Sequence, residues 1–275
     1  MKALNTFSHT LWQQYSAICP QALAIHRLFE SKGEVLVNDH IAFRTFSNSN
    51  ISIDCLEPEI FSLGYQPLDN YHFEQKQLDA RCYIHSQSDT KIFVSELLWQ
   101  NLSLRSQTII KAIIQQASTY PSPKLNAGRL WQLPSYENYC ALLDESEYAA
   151  WLSIWGLVAN HFTLFINHFS KYSRLEQVVS LLEKEGYTLN TVGGVIKGCE
   201  NDLLIQASTM ADKQTIEFSD AGNQDVSSCY YEFAQRFPLK DGSLFQGFVP
   251  SSADKIFEST SDSGLSELSA LTERR

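Results

Sequence analysis

Hydrophobic positions along this chain change period several times, and the changes come twice in the same order. Leu11, Trp12, Tyr15, Ile18, Leu23, Ile25 and Leu28 recur at steps near three and four, which predicts helix over residues 5–31 with a break at Pro20. After Gly33 the run 35–46 is rich in β-branched and aromatic residues and predicts a strand. Residues 53–63 read as helix and stop at Gly64-Tyr65, where glycine suits the residue after a helix end. Strands are expected at 81–85 and 91–97, joined by the polar turn Ser86-Gln87-Ser88-Asp89-Thr90.

Residues 101–155 read as a helical connection. It holds a periodic helix at 108–117, a loop punctuated by Pro121, Pro123 and Pro134, and helix again over 135–155. Then the first order returns. A strand is expected at 160–168 and a helix at 175–185 ending at Gly186-Tyr187, then strands at 194–197, 203–208, 215–218 and 229–236. His40 lies 24 residues before Gly64, and His161 lies 25 before Gly186. The chain therefore reads as a single catalytic domain over 1–275. It divides into N-terminal helices (1–33), a first module (34–100), a helical connection (101–157), a second module (158–250) and a Ser-rich, acidic tail (251–275).

Composition narrows the classes. With 44% hydrophobic residues in 275, a sizeable core is available and disorder throughout is excluded. A net charge of −10, with no basic run beyond Arg274-Arg275, argues against nucleic acid as a partner. No run approaches the ~20 apolar residues that span a bilayer, so no membrane partner is expected. Six scattered cysteines without a C-x-x-C pair read as reduced thiols, and the N-terminus has no apolar signal core, so the cytoplasm is expected.

Each module places a histidine in its first strand and a glutamate in its last: His40 and Glu96, then His161 and Glu232. A lone histidine or glutamate in a strand is more often a hydrogen-bonded structural residue; their recurrence is what favours a mononuclear metal site and an enzyme. Two histidines and one carboxylate suit non-haem Fe(II) with open positions, while ligand type leaves Zn(II) and Mn(II) open. Glu96, which takes in the first module the place that Glu232 takes in the second, is a candidate fourth ligand or supporting hydrogen-bond partner. Strand alternation puts Arg44 on the face of His40, roughly 13 Å away at ~3.3 Å per residue, so it is a candidate clamp for a substrate carboxylate. Arg236 shares a face with Glu232 and is a second candidate. His9 and His26 fall on helices, His168 falls on the face opposite His161, and structural roles are expected for His72 and His85. No phosphate-loop or G-x-S-x-G context occurs.

Residues 37–46, the run Ala159-Asn160-His161-Phe162-Thr163, residues 230–237, Gly247-Phe248-Val249-Pro250 and residues 253–260 resemble the 2-oxoadipate dioxygenase/decarboxylase family over most of 30–260. The resemblance implies an α+β fold of the vicinal oxygen chelate type, with paired βαβββ modules forming a curved mixed sheet around a metal. It further implies Fe(II) held by His40, His161 and Glu232, Arg44 on the distal carboxylate of the substrate, and Val249 in contact with substrate. The implied reaction joins a 2-oxo dicarboxylate such as 2-oxoadipate to O2, giving 2-hydroxyglutarate and CO2 as a step of lysine catabolism. Only 10 residues separate Phe237 from Phe248, where some family members carry a large insertion, and that bears on the substrate more than on the metal. The other expectations are a metal-dependent isomerase or hydrolase on the same scaffold, and a non-catalytic small-molecule binding module.

Overall fold

Pro20 divides the N-terminal helical stretch as its fixed φ and missing N–H require. In the computed structural model, which describes residues 2–261, α1 (Lys2–Ile18) ends before it and α2 (Pro20–Lys32) starts on it. Gly33, at φ 86°, takes the left-handed conformation that ends α2. The first module follows: β1 (Asn38–Phe46), α3 (Ile53–Ser62), β2 (Tyr65–Phe73), β3 (Leu78–His85) and β4 (Ser88–Leu97). The connection folds into α4 (Leu104–Ala117), α5 (Tyr136–Leu143) and α6 (Glu147–Trp155). The second module comprises β5 (Ala159–Phe165), α7 (Leu175–Lys184), β6 (Leu204–Ser208), β7 (Lys213–Phe218), β8 (Gly222–Ser227) and β9 (Tyr230–Arg236), and α8 (Pro250–Ile256) follows it.

Seven strands form one mixed sheet in the order β2-β3-β4-β1-β5-β9-β6, while β7 and β8 form a separate hairpin. The modules meet where β1 and β5 pair antiparallel, and each of these strands has the last strand of its own module parallel beside it, β4 on β1 and β9 on β5. Alternation then gives consecutive residues opposite fates. Phe162, Tyr231 and Phe233 point to the convex face, where Trp12 and Tyr15 of α1 and Phe29 of α2 pack on them with ring centroids 4.8–6.4 Å apart. Each such aromatic, once buried, is worth about 1.5–3 kcal/mol, enough to hold these helices as a wall behind the site. Their sequence neighbours His161, Tyr230 and Glu232 point to the concave face.

Several expectations change, among them that β8 stands where no strand was expected and that residues 166–168 form a 3₁₀ turn rather than the end of a strand. Residues 194–197 form no strand. Gly193, Gly194 and Gly198 all have positive φ, the chain turns through them, and Lys197 makes a single bridge to Gln206. β2 was not expected, because an edge strand with five consecutive exposed residues and Pro67 reads as a loop. The expected tail begins as α8 and a 3₁₀ turn at Phe257–Thr260, packed into the core; residues 262–275, with Arg274-Arg275, lie outside the described residues. No helix among the described residues is long and apolar enough to cross a membrane.

Candidate metal centre

Strand register lays the concave side chains in rows. His40 is opposite Thr163, and Thr163 is opposite Glu232. The next row holds Phe93, Ala42, His161 and Tyr230, and Arg44 stands one row further along β1. His40 and His161 are brought tip to tip, with 3.3 Å between their Nε2 atoms. Glu232 completes the group, its Oε2 lying 3.2 Å from His161 Nε2 and its Oε1 3.7 Å from His40 Nε2. One potential ligand atom from each of the three buried residues lies within 4.8 Å of the others.

These residues fit a metal. Glu232 is fully buried, yet its Oε2 has no hydrogen-bond partner among the described residues. A buried carboxylate oxygen left bare is costly unless a cation meets it. Two imidazole nitrogens and a carboxylate are a donor set for a first-row divalent ion.

The chemistry behind the two histidines holds them in ligand form. His40 Nδ1 donates to Asp39 Oδ1 at 2.8 Å, and His161 Nδ1 donates to the Asn160 side-chain oxygen at 3.0 Å, which leaves both Nε2 lone pairs facing the centre. Burial lowers the pKa of both rings; for His161 the neighbouring His40 and Arg44 lower it further, so both are neutral near pH 7. Burial pushes the Glu232 carboxyl up to about 8, against the hydrogen bond that Gln206 Nε2 donates at 2.6 Å. Asp39 is also buried, which alone would raise it. The charges of Arg236 and Lys91 outweigh burial and hold Asp39 well below the usual carboxylate range. Thr163 Oγ1 lies 3.1 Å from His40 Nε2.

The other expected residues have separate places. Arg44 is 2% exposed and lies across the rings of Tyr148 and Trp151, at 4.9 and 5.1 Å. Its two terminal nitrogens donate to Glu147 and Thr260, at 2.8 and 2.9 Å, and its Nε has no partner among the described residues. Arg236 faces inward but is fastened to Asp39 by two hydrogen bonds, at 2.5 and 2.8 Å, and to the carbonyls of Phe245 and Gly247. It braces the support of His40. Val249 caps the start of α8 half-buried, and its neighbour Phe248 is the residue that meets the His40 ring edge-on, at 4.8 Å.

Glu96 requires a correction. Register places Phe93, two residues past the His40 row, where the second module has Glu232. Glu96 is three residues from Phe93 and so faces the other way. Its Oε2 accepts from the backbone N–H of Ile53 at 2.9 Å, capping α3, and it takes no part in the cluster. His168 pairs with Asp89 and His72 with Asp79, both at the surface.

The open space beside the ligands is about 20 Å³, room for roughly one water. Phe93, Gln206, Phe248, Ala253, Ile256 and Phe257 close it. Asp39, Asn160, Thr163, Gln206 and Phe248 were not singled out from the sequence. The signal for the first two was present: both ligand histidines are preceded by a residue with a short carbonyl-bearing side chain, Asp39 and Asn160.

A curved mixed sheet of two modules, with a His–His–Glu cluster where they meet, is a fold of the vicinal oxygen chelate class. A Ralstonia eutropha structure provisionally assigned to the glyoxalase superfamily shares it, with TM-score 0.69 at 18% identity over 90% of this chain and 84% of that one. The sequence profile of the 2-oxoadipate dioxygenase/decarboxylase family matches residues 123–245. The rice protein named 2-oxoadipate dioxygenase/decarboxylase, chloroplastic/amyloplastic, is 32% identical over 91% of this chain and 77% of its own length. The Oryza sativa hydroxyglutarate synthase, solved in complex with 2-oxoadipate, superposes with TM-score 0.87 at 31% identity over 97% of this chain and 96% of that one. A Shewanella frigidimarina structure, described provisionally as a hydrolase, gives TM-score 0.83 at 40% identity over 90% and 98%. This chain belongs to the 2-oxoadipate dioxygenase/decarboxylase family.

Proposed function

We propose that this chain is an Fe(II)-dependent enzyme that converts 2-oxoadipate and O2 into 2-hydroxyglutarate and CO2. The observation that carries the reading is the convergence of His40, His161 and Glu232 within 4.8 Å in a member of this family. Bound by these three residues, Fe(II) would supply a redox-active centre with open positions for a 2-oxo acid and dioxygen. The equation balances without a second organic substrate: one carbon leaves as CO2, and the two oxygen atoms of O2 are taken up between the products.

The side chains divide the remaining work. Asp39 and Asn160 fix the two imidazoles, and Gln206 orients Glu232. Arg44, one row away, receives the distal carboxylate, and Val249 borders the chain of the substrate beside Phe248. Phe93, Phe248, Ile256 and Phe257 keep water from the centre. About 20 Å³ does not admit a six-carbon diacid, so Phe248 and α8 shift when substrate enters. The continuous sheet supports one catalytic domain, and six unpaired cysteines fit a reducing compartment such as the cytoplasm.

The test is anaerobic loading with Fe(II), then 2-oxoadipate and a measured amount of oxygen. One CO2 and one 2-hydroxyglutarate per O2 are expected. Iron-loaded protein that forms neither product refutes the reading. A hydrolase, as the Shewanella protein is provisionally described, needs no dioxygen, so turnover in strict anaerobiosis would favour that reading.

A further inference from the structure

Tyr230 is fully buried, and its hydroxyl has no hydrogen-bond partner among the described residues. Buried phenols normally find one, so the bare hydroxyl marks a place where a partner is to arrive. Tyr230 sits in the middle row of the concave face, directly opposite His161, with the two rings stacked 4.5 Å apart at 25°. Glu232 lies on one side of it along β9, and Arg44 lies a row beyond on the other. The charged groups within electrostatic reach of the phenol are Glu232, Arg44 and Glu147. Arg44 Nε is likewise buried and without a partner among the described residues. Two unmatched donors thus lie one register row apart on the concave face, within electrostatic reach of each other and on the side of the cluster away from His40.

We propose that Tyr230 is a specificity residue: its hydroxyl and the Nε–H of Arg44 are the two donors that receive the distal carboxylate of a 2-oxo diacid. This rests on the proposed function and adds a residue to it. A 2-oxo diacid has polar atoms only at its ends. With the 2-oxo end at His40, His161 and Glu232, a donor placed toward Arg44 has only the distal carboxylate to meet. Arg44 alone serves poorly, because Glu147 and Thr260 already take its terminal nitrogens and Glu147 balances its charge. The remaining N–H satisfies one carboxylate oxygen, and the phenol satisfies the other.

The experiment is Tyr230→Phe, compared with wild type on 2-oxoadipate and on 2-oxohexanoate, which has the same chain length without the distal carboxylate. A hydrogen bond to a charged group predicts that KM for 2-oxoadipate rises about 10- to 100-fold while that for 2-oxohexanoate stays within about twofold. Calorimetric Kd values for 2-oxoadipate on Mn(II)-loaded, oxygen-free protein should rise in parallel. Melting temperature should be unchanged or higher, since the deleted hydroxyl had no partner. Equal losses on both substrates, or no loss on either, overturn the proposal while wild-type activity leaves the functional reading standing. Wild type that neither binds nor turns over 2-oxoadipate overturns both.

Discussion

In the first module β4 runs parallel to β1 and sets Phe93 opposite Ala42; in the second β9 runs parallel to β5 and sets Glu232 opposite Thr163. Each of these positions lies at the same offset from its module's histidine. One strand framework therefore carries a ligand in one copy and an apolar wall in the other. Support differs as well: a charged Asp39, braced by Arg236 and Lys91, stands behind His40, while a neutral Asn160 stands behind His161. The two-fold scaffold makes the junction, and the departures from two-fold symmetry leave it with three candidate ligands rather than four. A carboxylate at position 93 would add a second buried negative charge beside Glu232.

The largest effect breaks this asymmetry directly. Glu232→Ala should abolish metal retention and turnover, a loss larger than the roughly 10- to 100-fold caused by removing an outer partner of a ligand. Its positional counterpart Phe93→Ala should retain stoichiometric metal. Metal analysis after gel filtration separates them.

The outer partners should differ next. Asp39→Asn strands Arg236 and Lys91 in the interior, so a stability loss of about 3–5 kcal/mol is expected by denaturant titration, with metal affinity down roughly 10- to 100-fold. Asn160→Ala removes one neutral hydrogen bond and should cost about 1 kcal/mol and near tenfold in affinity.

The pH response follows from Glu232. Its folded carboxyl is raised by burial from 4.5 to about 8, so folded metal-free protein holds that proton more tightly than unfolded chain does. That contribution to stability is full below about 4.5 and is lost as pH rises through about 8. A metal binds the carboxylate form, so affinity should climb up to about tenfold per pH unit below 8 and level off above it. The gap between melting temperatures with and without Mn(II) should therefore widen from pH 6 to 8; a constant gap counts against Glu232 as a ligand.

Smallest is Glu96→Ala, which removes the cap of α3 and should cost about 1 kcal/mol while leaving metal content and kcat unchanged.

What was legible in the sequence follows the same division. Alternation gave Arg44 the face of His40 and Arg236 the face of Glu232, because parity survives any error in strand boundaries, while the recurrence of the modules and the family resemblance grouped His40, His161 and Glu232. Register between strands is not a property of one segment, and that is why Glu96 was placed where Phe93 stands. β2 escaped because its solvent face is polar and Pro67 sits within it. α8 escaped because its Ser-rich sequence becomes a helix through the packing of Ala253, Ile256 and Phe257 over the site. The link between Asp39 and Arg236 spans 197 residues and exists only once β9 lies in the sheet.

The two modules should contribute unequally to one metal centre. A crystal structure of protein loaded anaerobically with Fe(II) tests this most directly. One ion is expected about 2.0–2.2 Å from His40 Nε2, His161 Nε2 and a Glu232 oxygen. An ion held by Glu96, or one bound away from His40 and His161, would contradict it.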